Sequence, residues 1–269
     1  MSTGFTRAEK DWSHVQFVDF QDRERRNWDK FVFSQKLFQF GCDGVNIWAI
    51  ALRLDDPWVP ITDKDMKMSI EAAESRVSDL RKRDAADEAW QWIVDLKEQA
   101  KSNSAAAEAE LDVIFRNGTP PGDLDGPTNG ILVMTTTNQV VDAAARFVTS
   151  LWMPWQGKRF DLAAGTGDNR MTSNAKLPSK LLWPLYKMKD AANGKLAFEF
   201  KTYQDAGKLD PDVQVMVIDY ADVKENPSVI IRSIRDELVE VVPGTYLGKI
   251  LFRLPRNRYE MIGFFALRT

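Results

Sequence analysis

One histidine, His14, and one cysteine, Cys42, occur among the 269 residues of this chain. Such scarcity excludes zinc clusters built on several histidines. It also leaves a Ser-His-Asp triad or a Cys-His pair nothing to draw on but His14, which reads as a surface histidine near the N-terminus. A single cysteine cannot form an internal disulfide, which points to a reducing compartment, and Cys42 in FGCDG reads as a small turn residue. No strong excess of charge of either sign is present: 36 Lys plus Arg against 39 Asp plus Glu give a net charge of -3. Broad attraction to phosphate backbones or anionic lipid is therefore not expected, and no nucleic-acid partner is predicted. The longest apolar run, VNIWAIAL at 45–52, falls well short of the roughly 20 residues of a membrane helix. The N-terminus, MSTGFTRAEKDWSHVQ, has no apolar stretch of the secretory type. The expected location is cytoplasmic, with no membrane span.

Cofactor signatures are also missing. AAGTGDNR at 163–170 lacks both the G-x-G-x-x-G spacing and the P-loop pattern, and reads as a strand-connecting loop. The acidic pairs Asp55-Asp56, Asp123-x-Asp125 and Asp210-x-Asp212 each sit beside Pro or Gly, as solvated turn carboxylates do; no metal and no cofactor are predicted.

What the chain has in quantity is tryptophan, nine residues, within a composition that is 44% hydrophobic and 28% charged. That balance is ordinary for a folded globular protein, and abundant Trp fits either a large core or an aromatic-lined binding site. Helical periodicity dominates the first part. Thr62 with Asp65 makes an N-terminal cap ahead of Met66, Ile70, Ala73, Val77 and Leu80, whose spacings of four and three predict a helix over about 63–82. A second helix carries Ala89, Ile93, Leu96 and Ala100 on one stripe, and a third over 105–115 stops at Asn117-Gly118. The segment 22–40 reads as helix or, through its Phe-Val-Phe run, as strand.

NGTPPGDLDGPTNG, 117–130, is the best boundary, so a mainly helical region is placed at 1–127 and a second region at 128–269. After 131–137 and an amphipathic helix VVDAAARFVTSLW come strand-like runs at 196–203, 213–220, 237–242, 246–254 and 261–268. Pro243-Gly244 and PRNR (255–258) are tight connections between strands, while Asn226-Pro227 predicts a short helix at 227–234. Tyr246, Gly248, Ile250, Phe252 and Leu254 share one strand face, as do Tyr259, Met261, Gly263, Phe265 and Leu267. Apolar faces of this kind must be covered, so the expected class is α+β: a helical N-terminal half and an antiparallel β-barrel or strongly curled sheet in the C-terminal half.

Candidate site residues follow from that barrel. LWMPWQGKRF at 151–160 fits a cavity mouth, its aromatics toward a ligand and its Lys-Arg pair toward water. Trp152, Trp155, Lys158, Trp183, Phe200, Phe252 and Phe265 are the expected substrate-binding positions. Asp219 follows Val213, Val215 and Val217 on one face; there it is either a buried acid or base with a raised pKa or the cap of the next turn. Tyr246 and Tyr259 are either ligand hydrogen-bond donors or core tyrosines. Glu199, between Phe198 and Phe200, alternates to the opposite, solvated face.

The order WQGKRF, LLWPLYK (181–187), VIDY (217–220) and YLGKILFRL resembles that of lipocalin-like (calycin-type) small-molecule-binding barrels over about 150–269. It is similar, more loosely, to the proteins named for a GxWxG motif, although the motif itself is absent. The resemblance implies a central cavity for an apolar small molecule, with Trp155, Gly157 and Lys158 matching the entrance segment. Several such barrels are cofactor-free isomerases or cyclases of natural-product pathways. Two functions are thus in view. One is a cofactor-independent enzyme isomerising or cyclising an isoprenoid or polyketide with Asp219, Tyr246 and Tyr259 as acid/base or hydrogen-bonding groups. The other is a non-catalytic carrier or sensor of hydrophobic ligands. A third, an interaction module presenting the charged helices of 63–116, fits less well because their alternating charges suit solvated faces.

Overall fold

The computed structural model describes residues 36–42, 45–51, 63–136, 155–173, 186–228 and 230–269. All fall within one unit, Ser34–Thr269. Strands β1 (Lys36–Cys42) and β2 (Val45–Ala51) form an antiparallel hairpin; 36–40 is therefore strand, and the remainder of the 22–40 segment lies outside the described residues, as do the helix expected at 140–152, Trp152 and Trp183.

Three helices follow: α1 (Asp63–Arg83), α2 (Ala86–Gln99) and α3 (Ser104–Arg116). Their period is the one the apolar spacing predicts. Ala73, Val77 and Leu80 of α1 and Ala89, Ile93 and Leu96 of α2 are buried, whereas Ile70, expected on the same stripe, is exposed at 37%. Asn103 caps α3 by accepting the Ala106 N–H, which satisfies one of the donors that a helix start leaves without a partner. The Trp92 indole donates to Glu110 at 2.6 Å and so ties α2 to α3.

Beyond the helices the chain forms β3 (Gly126–Pro127), β4 (Asn129–Thr135), β5 (Trp155–Asp161), β6 (Thr166–Met171), β7 (Lys189–Ala191), β8 (Gly194–Ala206), β9 (Gln214–Asp219), β10 (Ile234–Val242), β11 (Thr245–Leu254) and β12 (Arg258–Arg268). Antiparallel pairing runs β3-β5-β6-β8-β9-β10-β11-β12-β4, with β7 added to β8. Because β3 and β4 are one stretch of chain interrupted only at Thr128, the sheet returns on itself, and the result is a nearly closed antiparallel barrel. Helices followed by this barrel make the class α+β, as the two hydrophobic periods require.

Strands β9 to β12 separate two cores. Outward Val213 just ahead of β9, Val215 and Val217 of β9, Val239 and Val241 of β10, Leu247 of β11 and Phe264 of β12 pack with the helices. Inward Met216, Ile218, Leu238, Tyr246, Ile250, Phe265 and Leu267 pack with Phe160, Phe198, Phe200 and Tyr220. Arg81 donates to the carbonyls of Val241 and Glu240, and Thr245 to that of Ala86, which anchors the helical layer to the barrel wall.

Three local expectations are corrected. Residues 227–234 do not form an α-helix: Ile231–Ser233 is a single 3-10 turn leading into β10, and the Asn226 amide bonds the carbonyls of Glu199 and Tyr220 instead of capping a helix. TGDNRM is a strand rather than part of a loop. Its polar residues are held by partners, Asp168 by Arg159 at 2.6 Å and Asn169 by the interior groups described below. Finally, a bulge opposite Ile250 and Leu251 inserts Ile262 into β12, so Tyr259 and Met261 do not share the inward face of Phe265 and Leu267.

Candidate functional site

Lys158, expected to face water, lies inside the barrel with a side-chain exposure of 0%; Arg159, its neighbour, is 48% exposed. The cause is local. β5 bulges at Gln156 in its pairing with β6, so Trp155 and Lys158, three residues apart, both point inward, where a regular strand would send them to opposite faces. Gly157 makes the crossing possible: its φ is +137°, and a Cβ there would stand 2.2 Å from the Thr128 carbonyl oxygen. Thr128, buried where β3 gives way to β4, donates its N–H to the Lys158 carbonyl at 2.8 Å and accepts the Lys158 N–H on its hydroxyl at 3.2 Å.

Inside, the ammonium has three acceptors for its three protons. Nζ lies 2.9 Å from Asp236 Oδ2, 2.6 Å from the Tyr220 hydroxyl and 3.0 Å from Asn169 Oδ1. Tyr220 in turn donates to Asp236 Oδ2 at 3.0 Å. The Asn169 amide nitrogen donates to the Phe198 carbonyl and the Tyr220 hydroxyl, while its oxygen also accepts the Trp155 indole N–H at 3.1 Å. The rings of Phe265, Phe200, Tyr220 and Trp155 surround Nζ at centroid distances of 5.1, 5.2, 5.3 and 5.9 Å, where their negative faces stabilise a cation. Burial lowers the Lys158 pKa against the opposing pull of the Asp236 charge, and burial raises that of Tyr220 well above its ordinary value, so its hydroxyl keeps its proton. One atom of the cluster has no hydrogen-bond partner among the described residues: Asp236 Oδ1, on a side chain only 2% exposed.

Four expected positions, Trp155, Lys158, Phe200 and Phe265, thus come together at this cluster. Phe252, partly buried, packs against the same core. The other candidates lie elsewhere. Asp219 shares the outward face of Val213, Val215 and Val217. It caps the turn by accepting the Ala221 N–H at 2.8 Å and also accepts from the Tyr203 hydroxyl at 3.2 Å. Tyr259 joins it on the wall of a small surface groove of about 50 Å³ with Arg232, Arg235 and Arg253. Tyr246 faces the interior near the opposite end of β11, and burial together with the Glu240 charge pushes its pKa up to about 12. Glu199 is 41% exposed and holds Lys189.

Asp236, Tyr220 and Asn169 were not legible as site residues in the sequence. β10 begins at Ile234, three residues before the strand-like run at 237–242, and Ile234, Asp236 and Leu238 form an inward stripe carrying one carboxylate. In VQVMVIDY the inward residues are Met216, Ile218 and Tyr220, the alternate set to the one ending at Asp219.

Aromatic rings meet one another through the interior: Phe160 on Phe200, Phe200 on Tyr220 and Trp155 on Phe265 are edge contacts at 5.5, 5.7 and 6.1 Å, and Tyr186 stacks on Phe198 at 5.0 Å. Two cavities lined by described residues both open outside the barrel, the groove beside Asp219 and one of about 310 Å³ between α2 and the ends of β11 and β12. At one barrel end the apolar side chains loosen. Trp155 at the start of β5, Met188 ahead of β7, Ile234 at the start of β10, and Phe252 and Leu254 at the end of β11 are only partly buried. Among the described residues no group of His, Cys, Asp or Glu is arranged to hold a metal ion, and no helix is long and apolar enough to cross a membrane. Comparison with protein-family models, with curated proteins and with solved structures finds no match to this chain.

Proposed function

We propose that this barrel is the chamber of a cofactor-independent enzyme that admits an apolar small molecule at the end ringed by Trp155, Met188, Ile234, Phe252 and Leu254 and rearranges it over the Lys158–Asp236–Tyr220 cluster. The observation that carries the reading is Asp236. Lys158 and Tyr220 both hold its Oδ2, while the buried Oδ1 has no hydrogen-bond partner among the described residues. A carboxylate so placed takes a proton from one atom of a bound molecule and returns it to another. The net change is nil for the protein and an isomerisation or ring closure for the substrate. Lys158 and Tyr220 hold the carboxylate in place between the two transfers, and the aromatic walls supply orientation. Asp219, Tyr246 and Tyr259 take no part in this version of the chemistry, because none of them touches the cluster.

A carrier of hydrophobic ligands is the second reading, favoured by one observation: every proton of Lys158 is already held by a protein acceptor. The test has two stages. Native mass spectrometry and tryptophan-fluorescence titration with a panel of isoprenoids and polyketides are expected to find a ligand of micromolar affinity, and product analysis then separates the readings. Conversion that disappears in Asp236→Asn supports the enzyme, retention of the ligand unchanged supports the carrier, and absence of binding across the panel rules out both.

A further inference from the structure

We infer that the molecule seated at this cluster carries a hydroxyl group and is neutral, so that the ligand class is an apolar alcohol and not a fatty acid or other carboxylate; the inference rests on the chamber reading above. It comes from counting donors and acceptors. Lys158 contributes three protons, and Asn169, Tyr220 and Asp236 accept them. Tyr220 contributes one, accepted by Asp236 Oδ2. Asn169 contributes two, accepted by the Phe198 carbonyl and the Tyr220 oxygen. The Trp155 indole contributes one, accepted by Asn169 Oδ1. Every donor of the cluster is therefore occupied by protein. Among the described residues the capacity that remains in the cluster is an acceptor, Asp236 Oδ1, on a side chain 2% exposed.

A buried acceptor without a partner costs free energy until a donor reaches it. A ligand carbonyl or ether brings no donor. A ligand carboxylate brings a second negative charge against Oδ1, in a setting where the charges of Lys158 and Asp236 already balance. A protonated amine brings a donor but sets a second ammonium beside that of Lys158, against a single carboxylate. A hydroxyl supplies the donor and keeps the balance.

The experiment is a fluorescence titration of the full chain with three compounds of one skeleton: a C15 isoprenoid alcohol, its methyl ether and the corresponding carboxylate. The alcohol is expected to bind about tenfold or more tighter than either analogue, the size of a hydrogen bond to a charged acceptor. In Asp236→Asn, which removes the charge, the disadvantage of the carboxylate against the alcohol is expected to shrink. An ether that binds as well as the alcohol, or a carboxylate that binds better, overturns the inference and leaves the chamber standing. Failure of all three to bind overturns both. If the Asn variant does not fold, the wild-type series decides alone.

Discussion

Lys158 and Asp236, 78 positions apart in the chain, meet inside the barrel with Nζ 2.9 Å from Oδ2, and their side chains are 0% and 2% exposed. Ion pairs so deeply buried add little net stability relative to an apolar pair of the same volume, yet breaking one side is costly because the other charge is left without compensation. Lys158→Met is therefore expected to destabilise the fold by about 3–5 kcal/mol in urea denaturation. The double variant Lys158→Met with Asp236→Leu should recover much of that loss. Equal destabilisation by the single and double variants would mean that the pair is not coupled.

Gly248 sits beneath Phe265 on the neighbouring strand, and a Cβ at that position would lie 2.2 Å from the ring. Gly248→Ala should cost about 1–3 kcal/mol through overpacking, read as a lower thermal midpoint. In a Phe265→Leu background, where the ring is gone, the added methyl should cost much less.

Alkaline pH should unfold the barrel through its tyrosines. Burial pushes the hydroxyls of Tyr186 and Tyr246 up to about 12, against about 10 in an unfolded chain. The folded state retains protons that the unfolded state has lost between those values. Their stabilisation is thus complete below pH 10 and disappears as pH rises from about 10 to 12. Denaturant midpoints measured at pH 8, 10 and 11 should fall over the last interval, and the fall should be shallower in Tyr186→Phe. An identical slope in the variant would remove Tyr186 from the account.

On the outer wall, Lys249 of β11 is 3% exposed, with Nζ 2.6 Å from Asp210 Oδ2 and 2.7 Å from Asp112 Oδ1 of α3, while Arg116 of α3 reaches the other oxygen of Asp210. This clamp holds α3 on the barrel. Lys249→Met should cost about 1–3 kcal/mol and speed amide exchange across 104–116 more than across β5 or β6. Uniform acceleration would show that the clamp serves the whole fold.

Much of this architecture was legible in the sequence because periodicity reports burial directly: α1 to α3 and β8 to β11 arise from runs whose spacing matches their faces. Register was harder to read. Bulges at Gln156 and Ile262 reverse which residues face inward, and neither carries a local signal beyond nearby glycines. Tyr259 left the expected site for that reason, and Lys158 entered the interior. Polar residues inside, Asn169 and Asp236, resist reading for a different cause. Their burial is tolerated only because partners distant in sequence satisfy them, and periodicity records nothing of such partners.

The stretch Gly126–Thr135, shared between β5 on one side and β12 on the other, has a consequence for the birth of the fold. Gly130 pairs with Leu267, so the ring cannot shut until chain segments well over a hundred residues apart have found each other, which makes closure a slow, late event. Until then β5 and β12 each offer a bare row of amides and carbonyls to any neighbouring copy. The hazard of mispairing between molecules is therefore concentrated in that interval, and it ends when Thr128 seats against Lys158.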